Sequence, residues 1–162
     1  MKIGVVSDTH IPKRARELPL IILNAFETVD HIIHAGDILS MHVIQQLEQL
    51  APVTAVAGNV DTSEVKEALG EKKILIAGAF HIGVVHGHGS GGSTIGRAIR
   101  AFQQDKLDCI VFGHSHIPFI GHYQNTFMFN PGSPTDKRRC SQFSFGIFET
   151  SQGIEAKHIF FD

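Results

Sequence analysis

Five short apolar runs in this chain each lead into side chains able to hold a metal ion, and that repetition constrains the fold more than any other feature. Ile3-Gly4-Val5-Val6 leads into Ser7-Asp8-Thr9-His10, and Cys109-Ile110-Val111-Phe112 leads into Gly113-His114-Ser115-His116. Successive residues of a strand point to opposite faces, so positions two apart share a side. Asp8 with His10, like His114 with His116, can therefore converge on one point. Three further runs end in Ala35-Gly36-Asp37, Ala57-Gly58-Asn59-Val60-Asp61 and Val85-His86-Gly87-His88. A glycine beside the ligand lets the chain turn off the strand and approach an ion closely, a use open to Gly36, Gly58, Gly87 and Gly113. The pattern points to a metal site at the edge where short buried strands leave a sheet.

Helix-like segments separate the early strands. The sequence predicts strands over Lys2–Ser7, Asp30–His34 and Pro52–Ala57, with helices over Leu18–Phe26 and over Ser40–Leu50, the latter capped by Ser40. Such alternation makes βαβ units and a largely parallel sheet. The pattern then changes. Lys72–Ala77 and Phe80–His86 flank a Gly78-Ala79 turn, and Ser93–Gln104 reads as a further helix. Phe119–Tyr123, Thr126–Asn130, Gln142–Glu149 and Ile154–Phe160 read as strands, with turns at Gln124-Asn125 and Ser151-Gln152-Gly153. An α/β fold of two face-to-face mixed β-sheets flanked by helices accommodates both halves, as a single domain over residues 1–162.

At that length the chain can bury roughly two thirds of its unfolded surface without a disulfide scaffold. Cys109 lies inside an apolar run and Cys140 is the only other cysteine, which suits reduced structural thiols and a cytoplasmic setting. The N-terminus enters a strand directly, so neither a cleaved signal nor a membrane span is expected. A net charge of −2 argues against a sequence-independent nucleic-acid binder. Lys13-Arg14-Ala15-Arg16 and Lys137-Arg138-Arg139 are short basic clusters that read as solvated surface. His31, His34, His42, His81, His122 and His158 are scattered, and read as surface or satisfied core residues.

Taken singly, a Gly-Asp after a strand is a turn and a histidine in an apolar run is core; five such elements in one context are different. Asp, Asn and His donors without a thiol suit Mn, Fe, Ni or Zn, with manganese the first choice here. Seven such donors exceed one tetrahedral site and suffice for two divalent ions if Asp37, central in the order, bridges them.

The series Asp8-x-His10, Gly36-Asp37, Gly58-Asn59, His86-Gly87 and Gly113-His114-x-His116 resembles the calcineurin-like metallophosphoesterase signature, in full order. The Ser7-Asp8-Thr9-His10 opening, His86-Gly87-His88 and Asn130-Pro131-Gly132-Ser133 are similar to its small bacterial and archaeal phosphodiesterase branch, which includes the retromer scaffold subunit of eukaryotes. The resemblance implies one metal held by Asp8, His10, Asp37 and His116 and a second held by Asp37, Asn59, His86 and His114. It also implies in-line attack on the phosphorus of a small phosphate ester by a metal-bridging hydroxide.

Many family members carry a histidine directly after the motif asparagine, where this chain has Val60. Valine cannot protonate a leaving group, so His88, two residues past a ligand, is the candidate acid. Asp61 joins the catalytic set as a residue that orients a ligand imidazole or shapes its turn. Arg14, Asn130 and Ser133 are candidates for contacting a phosphate oxygen. Two alternatives are a protein-interaction scaffold of retromer-subunit type, against which retention of all seven ligands counts, and a DNA nuclease, which the absence of a basic stripe disfavours. Among Phe119, Phe127, Phe129, Phe143, Phe145, Phe148, Phe160 and Phe161, those two apart suit an inter-sheet core, and any surplus offers a face for self-association as a homo-oligomer.

Overall fold

Alternation along β1 (Lys2–Val6) sends Ile3 and Val5 to one face and Gly4 and Val6 to the other. In the computed structural model, which describes residues 1–162, both faces of this strand are covered. Ile3 and Val5 join Ile33, Ala35 and Val56 in the core between two sheets, where Ile82, Val84, Val111 and Phe129 meet them from the opposite side. Val6 faces outward with Ile32 and Ala55 toward the helices. Gly4 has no room for a side chain there, since a Cβ would lie 2.6 Å from the Phe26 ring.

In the first sheet, β1 pairs in parallel with β2 (His31–His34), which pairs in parallel with β3 (Val53–Ala55). On its other side β1 pairs antiparallel with β9 (Phe143–Glu149), which carries β10 (Glu155–Phe161) at the edge. The second sheet runs in the order β4 (Lys72–Ala77), β5 (Phe80–Val85), β6 (Cys109–Val111), β8 (Thr126–Asn130) and β7 (Phe119–Tyr123). Here β5, β6 and β8 are mutually parallel, and β4 and β7 are antiparallel edges. Each sheet thus has a parallel centre whose strands end at one edge, the side on which open α/β sheets present their ligand sites.

Helices α1 (Leu20–Phe26), α2 (Met41–Glu48) and α3 (Ser63–Leu69) cover the outer face of the first sheet through Ile22, Phe26, Val43, Ile44, Leu47 and Val65. Helix α4 (Thr94–Ala101) covers the second through Ala98, which packs with Phe102, Ile110, Phe112 and Met128. The α/β arrangement of two mixed five-stranded sheets with four helices is the expected one. The Ser40 cap is present, its hydroxyl accepting from His42 N. Helix α3 was not anticipated from sequence. Only Val65 of its seven residues is buried, too little to show an apolar period, although Thr62 caps its start and Gly70, at φ +68°, ends it.

Phe129, Phe145 and Phe148 are fully buried, whereas Phe160 is 51% exposed. Phe145 packs edge-on against Phe26 of α1 at 5.6 Å and ties the β9 ribbon to the helical layer. Phe145→Ala should lower the unfolding free energy in urea by about 3–5 kcal/mol, whereas Phe160→Ala should change it by less than about 0.5 kcal/mol.

Candidate metal centre

The loops leaving β1, β2, β5 and β6 bring six side chains into two groups whose ligand atoms lie within 4.8 Å of one another: Asp8, His10 and His116, and Asp37, His86 and His114. Asp37 reaches toward both. Its Oδ2 lies 3.1 Å from His86 Nε2 and 3.7 Å from His10 Nε2. Asp8 Oδ1 lies 3.2 Å from His116 Nε2 and 3.9 Å from His86 Nε2.

The second nitrogen of two of these rings decides what faces the gap. His86 Nδ1 donates to Ala35 O at 2.7 Å and His116 Nδ1 to Asp136 O at 2.5 Å. A carbonyl can only accept, so in the neutral ring Nε2 is the unprotonated nitrogen and both rings turn it inward, the orientation by which outer-sphere partners prepare metal-binding imidazoles. Asp8 Oδ1 and His86 Nε2 are sealed from solvent with no hydrogen-bond partner. Buried acceptors facing one another are costly without a cation between them, so the donor set fits divalent metal. Burial alone pushes the Asp8 carboxyl upward, but His86, His116 and the Ser7 hydroxyl outweigh it and hold it down at about 2. Burial likewise opposes charge on His86, where Asp8 and Asp37 prevail and raise it. His10 and His114 are lowered, chiefly by burial.

Five of these residues adopt left-handed backbone conformations rare outside glycine: Asp8 (φ 56°), His10 (45°), Asp37 (56°), His114 (67°) and His116 (59°). Each costs on the order of 1–2 kcal/mol and persists only where its surroundings over-determine it. Asp61 does this for the β2 loop. Its two carboxylate oxygens accept from the backbone N–H groups of Asp37, Ile38, Leu39 and Gly58 at 2.6–3.0 Å. Of its two expected roles it takes the second, shaping the turn, and it contacts no ligand imidazole.

Asn130 and Ser133 correct the expectation that they meet a phosphate oxygen. Asn130 is fully buried, donating to Gly113 O and Ser115 Oγ and accepting from Gly132 N, so it has nothing left for a substrate. Ser133, 1% exposed, donates to Asp8 O at 2.8 Å. Both hold ligand loops in place. Thr135 and His34 do similar work and were not singled out for the site from sequence. Thr135 Oγ1 donates to Thr9 O, and His34 Nε2 meets Thr9 Oγ1 while its Nδ1 accepts from Gly36 N. Nothing in sequence spacing points to Thr135, which lies 126 residues from its partner.

Arg14 is exposed and paired with Asp136, Nε to Oδ2 at 3.1 Å, with its own N–H donating to His10 O. His88 lies partly exposed, its ring 5.5 Å from His86 and 6.5 Å from His114, with Glu71 3.9 Å away. Asn59 is exposed on the loop after β3, its carbonyl accepting from Lys66. Val60, 46% exposed, donates its backbone N–H to Asp37 Oδ1.

Close approach makes two glycines obligatory. A Cβ on Gly58 would lie 2.1 Å from Asp37 Oδ1, and one on Gly113 would lie 1.9 Å from Ser7 Oγ and 2.6 Å from Asp8 Oδ2. Gly58→Ala should therefore displace the Asp37 carboxylate and weaken divalent-metal binding by about 10–100-fold, read by titration of the chelator-stripped protein.

Acid should destabilise the metal-free protein. Burial pushes His34 from 6.5 down to about 3, so the unfolded chain takes up its proton below pH 6.5 while the native chain resists until near pH 3. Between those values stability falls with pH at about 1.4 kcal/mol per unit for this group alone. His10 and His114 act in the same direction and His86 against it. Urea unfolding between pH 6.5 and 4 should show the decline, and His34→Gln should flatten its slope by about one proton.

Residues 1–153 match the family model of the calcineurin-like phosphoesterase superfamily domain. Probable metallophosphoesterases of Methanothermobacter thermautotrophicus and Methanocaldococcus jannaschii are 38% identical, over 85% and 98% of this chain and 80% and 81% of their own lengths. A phosphodiesterase of M. jannaschii is 30% identical over 82% of this chain and 83% of its own. The fold is shared with Vps29 of Chaetomium thermophilum, at TM-score 0.82 and 18% identity over 99% of this chain and 98% of the other. Zinc-complexed Vps29 of Entamoeba histolytica matches at 0.75 and 22%, over the whole of both chains. A family model that spans nearly the whole chain, with relatives 38% identical along most of it, places this protein in the calcineurin-like phosphoesterase superfamily.

Proposed function

We propose that residues 1–162 form one domain that hydrolyses a phosphodiester with the help of two divalent ions. The observation that carries this reading is the pair of side-chain clusters, with Asp37 of one lying 3.7 Å from His10 of the other and with Asp8 Oδ1 and His86 Nε2 left unpartnered. Asp8, His10, Asp37 and His116 would hold one ion, and Asp37, Asn59, His86 and His114 the other. When bound, the ions would supply an acidified water and neutralise charge on the phosphoryl oxygens. Manganese suits the mixed carboxylate and imidazole donors, with Zn, Fe and Ni as alternatives. Retention of six clustered ligands, five of them in strained backbone, weighs against a pure scaffold, which has no use for their geometry.

In the overall reaction the water oxygen ends on phosphorus, the P–O bond to one organic arm breaks, and that arm leaves as an alcohol with one of the water protons. The product is a monoester. The Val60 side chain offers no proton, and burial and the neighbouring His86 lower His88, which favours its neutral ring. A site without a strong acid favours leaving groups that need no protonation, such as phenolates. The 30% identical phosphodiesterase of M. jannaschii supports a diester substrate. Free thiols at Cys109 and Cys140, and the lack of any helix long and apolar enough to cross a membrane, support work in a reducing cytoplasm.

The test is a matrix of metals against substrates on chelator-stripped protein. Mn²⁺ should restore hydrolysis of bis(p-nitrophenyl) phosphate well above that of alkyl monoesters. Asp37→Asn should lose at least about 100-fold in kcat/KM, the size of a lost electrostatic contact to the reacting group. Undiminished turnover in that variant, or faster hydrolysis of alkyl monoesters, would overturn the reading. His88→Ala should lower turnover of alkyl diesters more than that of aryl diesters if the ring assists the leaving arm.

A further inference from the structure

A cavity of about 330 Å³ opens directly beside His116. One wall is the ligand loop, through Ser115, His116 and Ile117; the other is the segment after β8, through Lys137, Arg138, Arg139 and Cys140. Three consecutive cations thus line a space that adjoins a candidate metal ligand, on a chain whose net charge is −2.

Their partners set the three apart. Lys137 is committed, donating to Ser141 O at 3.0 Å and lying 5.0 Å over the Phe143 ring. Arg138 reaches only the His114 carbonyl, at 3.5 Å, which leaves most of its five N–H donors free. Arg139 is exposed and pairs with no carboxylate. The carboxylate nearest along the chain, Asp136, is already taken by Arg14 at 3.1 Å. Two guanidinium groups without carboxylate partners, beside the candidate metal ligand His116, match the oxygen pairs of a phosphate, to which arginine binds through two parallel N–H bonds.

We propose that this cavity receives a second phosphate carried by the substrate beyond its scissile phosphorus, with Arg138 and Arg139 as the specificity-determining residues. The preferred substrates are then phosphodiesters bearing an additional phosphate monoester. The inference rests on the phosphodiesterase reading above, and its test separates the two.

Thymidine 5′-(p-nitrophenyl phosphate) and the same ester with a 3′-phosphate share one scissile bond and leaving group. With the Mn²⁺-loaded protein the 3′-phosphate should raise kcat/KM by about tenfold, as expected for one charge-assisted contact. That ratio should fall toward unity in Arg138→Gln and Arg139→Gln, most of all together. Lys157→Ala removes a charge on β10 and should keep the wild-type ratio. A wild-type ratio near unity, a double variant that retains the preference, or an equal loss in Lys157→Ala would each overturn the proposal. If neither ester turns over, the phosphodiesterase reading fails, and binding to the metal-free protein still decides this one. Calorimetry should show thymidine 3′,5′-bisphosphate bound more tightly than thymidine 5′-monophosphate by wild type and equally by the double variant. Equal affinity in the wild type overturns the proposal whatever the kinetics show.

Discussion

A fully buried carboxylate, that of Asp8, is the constraint on which the rest of the centre depends. An ionised group sealed from water is tolerated only if its oxygens are answered by donors or cations. Asp8 divides that demand between its two oxygens. Oδ2 accepts from the Ser7 hydroxyl at 2.7 Å and from His114 N at 3.0 Å, the second bond crossing from one sheet to the other. Oδ1 is left without a protein donor and faces His116 and His86. The carboxylate that joins the sheets therefore also creates the need for a cation at their shared edge. Gly113 follows from the same contact, because any side chain there would collide with Ser7 and Asp8.

The strain in the ligand backbone explains the polar residues around it. Left-handed conformations at five ligand positions would relax if the loops were free to move. They are not free, since Asp61 gathers four backbone amides from two loops, Ser133 and Thr135 hold the carbonyls of Asp8 and Thr9, and Asn130 holds Gly113. These side chains spend their hydrogen bonds on main chain, and so the ligand positions are settled before any ion arrives. This is preorganisation in a physical sense: the ordering cost is met by folding and does not recur at binding. It also explains why Asn130 and Ser133 turn inward, while Arg138 and Arg139 at the rim have no carboxylate partner.

Much of the candidate site was legible in the chain because it is built from local rules. Apolar runs and the glycines after them marked where strands end and so which side chains gather there, although Asp8, His10, His114 and His116 lie beyond β1 and β6 in left-handed loop backbone, where strand alternation no longer applies. What the spacing left open was how the pairs divide. Asp8 and His10 stay together with His116, whereas His114 turns to Asp37 and His86, a division the family resemblance implied and the left-handed φ of both histidines accommodates. Helix α3 escaped the reading because one buried valine carries no period, and Thr135 escaped it because its partner is distant in sequence.

By itself the sequence determined which residues could be ligands, that they sit at strand ends, and that two sheets with helices outside would carry them, since alternation and apolar runs act within a few residues of chain. Only the tertiary structure decided which polar groups are left over. Whether Asn130 is spent on Gly113 or free for substrate, whether Asp61 serves an imidazole or a turn, and whether Arg138 finds a carboxylate all depend on groups brought together from distant parts of the chain. A hydrogen-bond donor satisfied by one partner is withdrawn from every other, and that accounting closes only when all partners are in place.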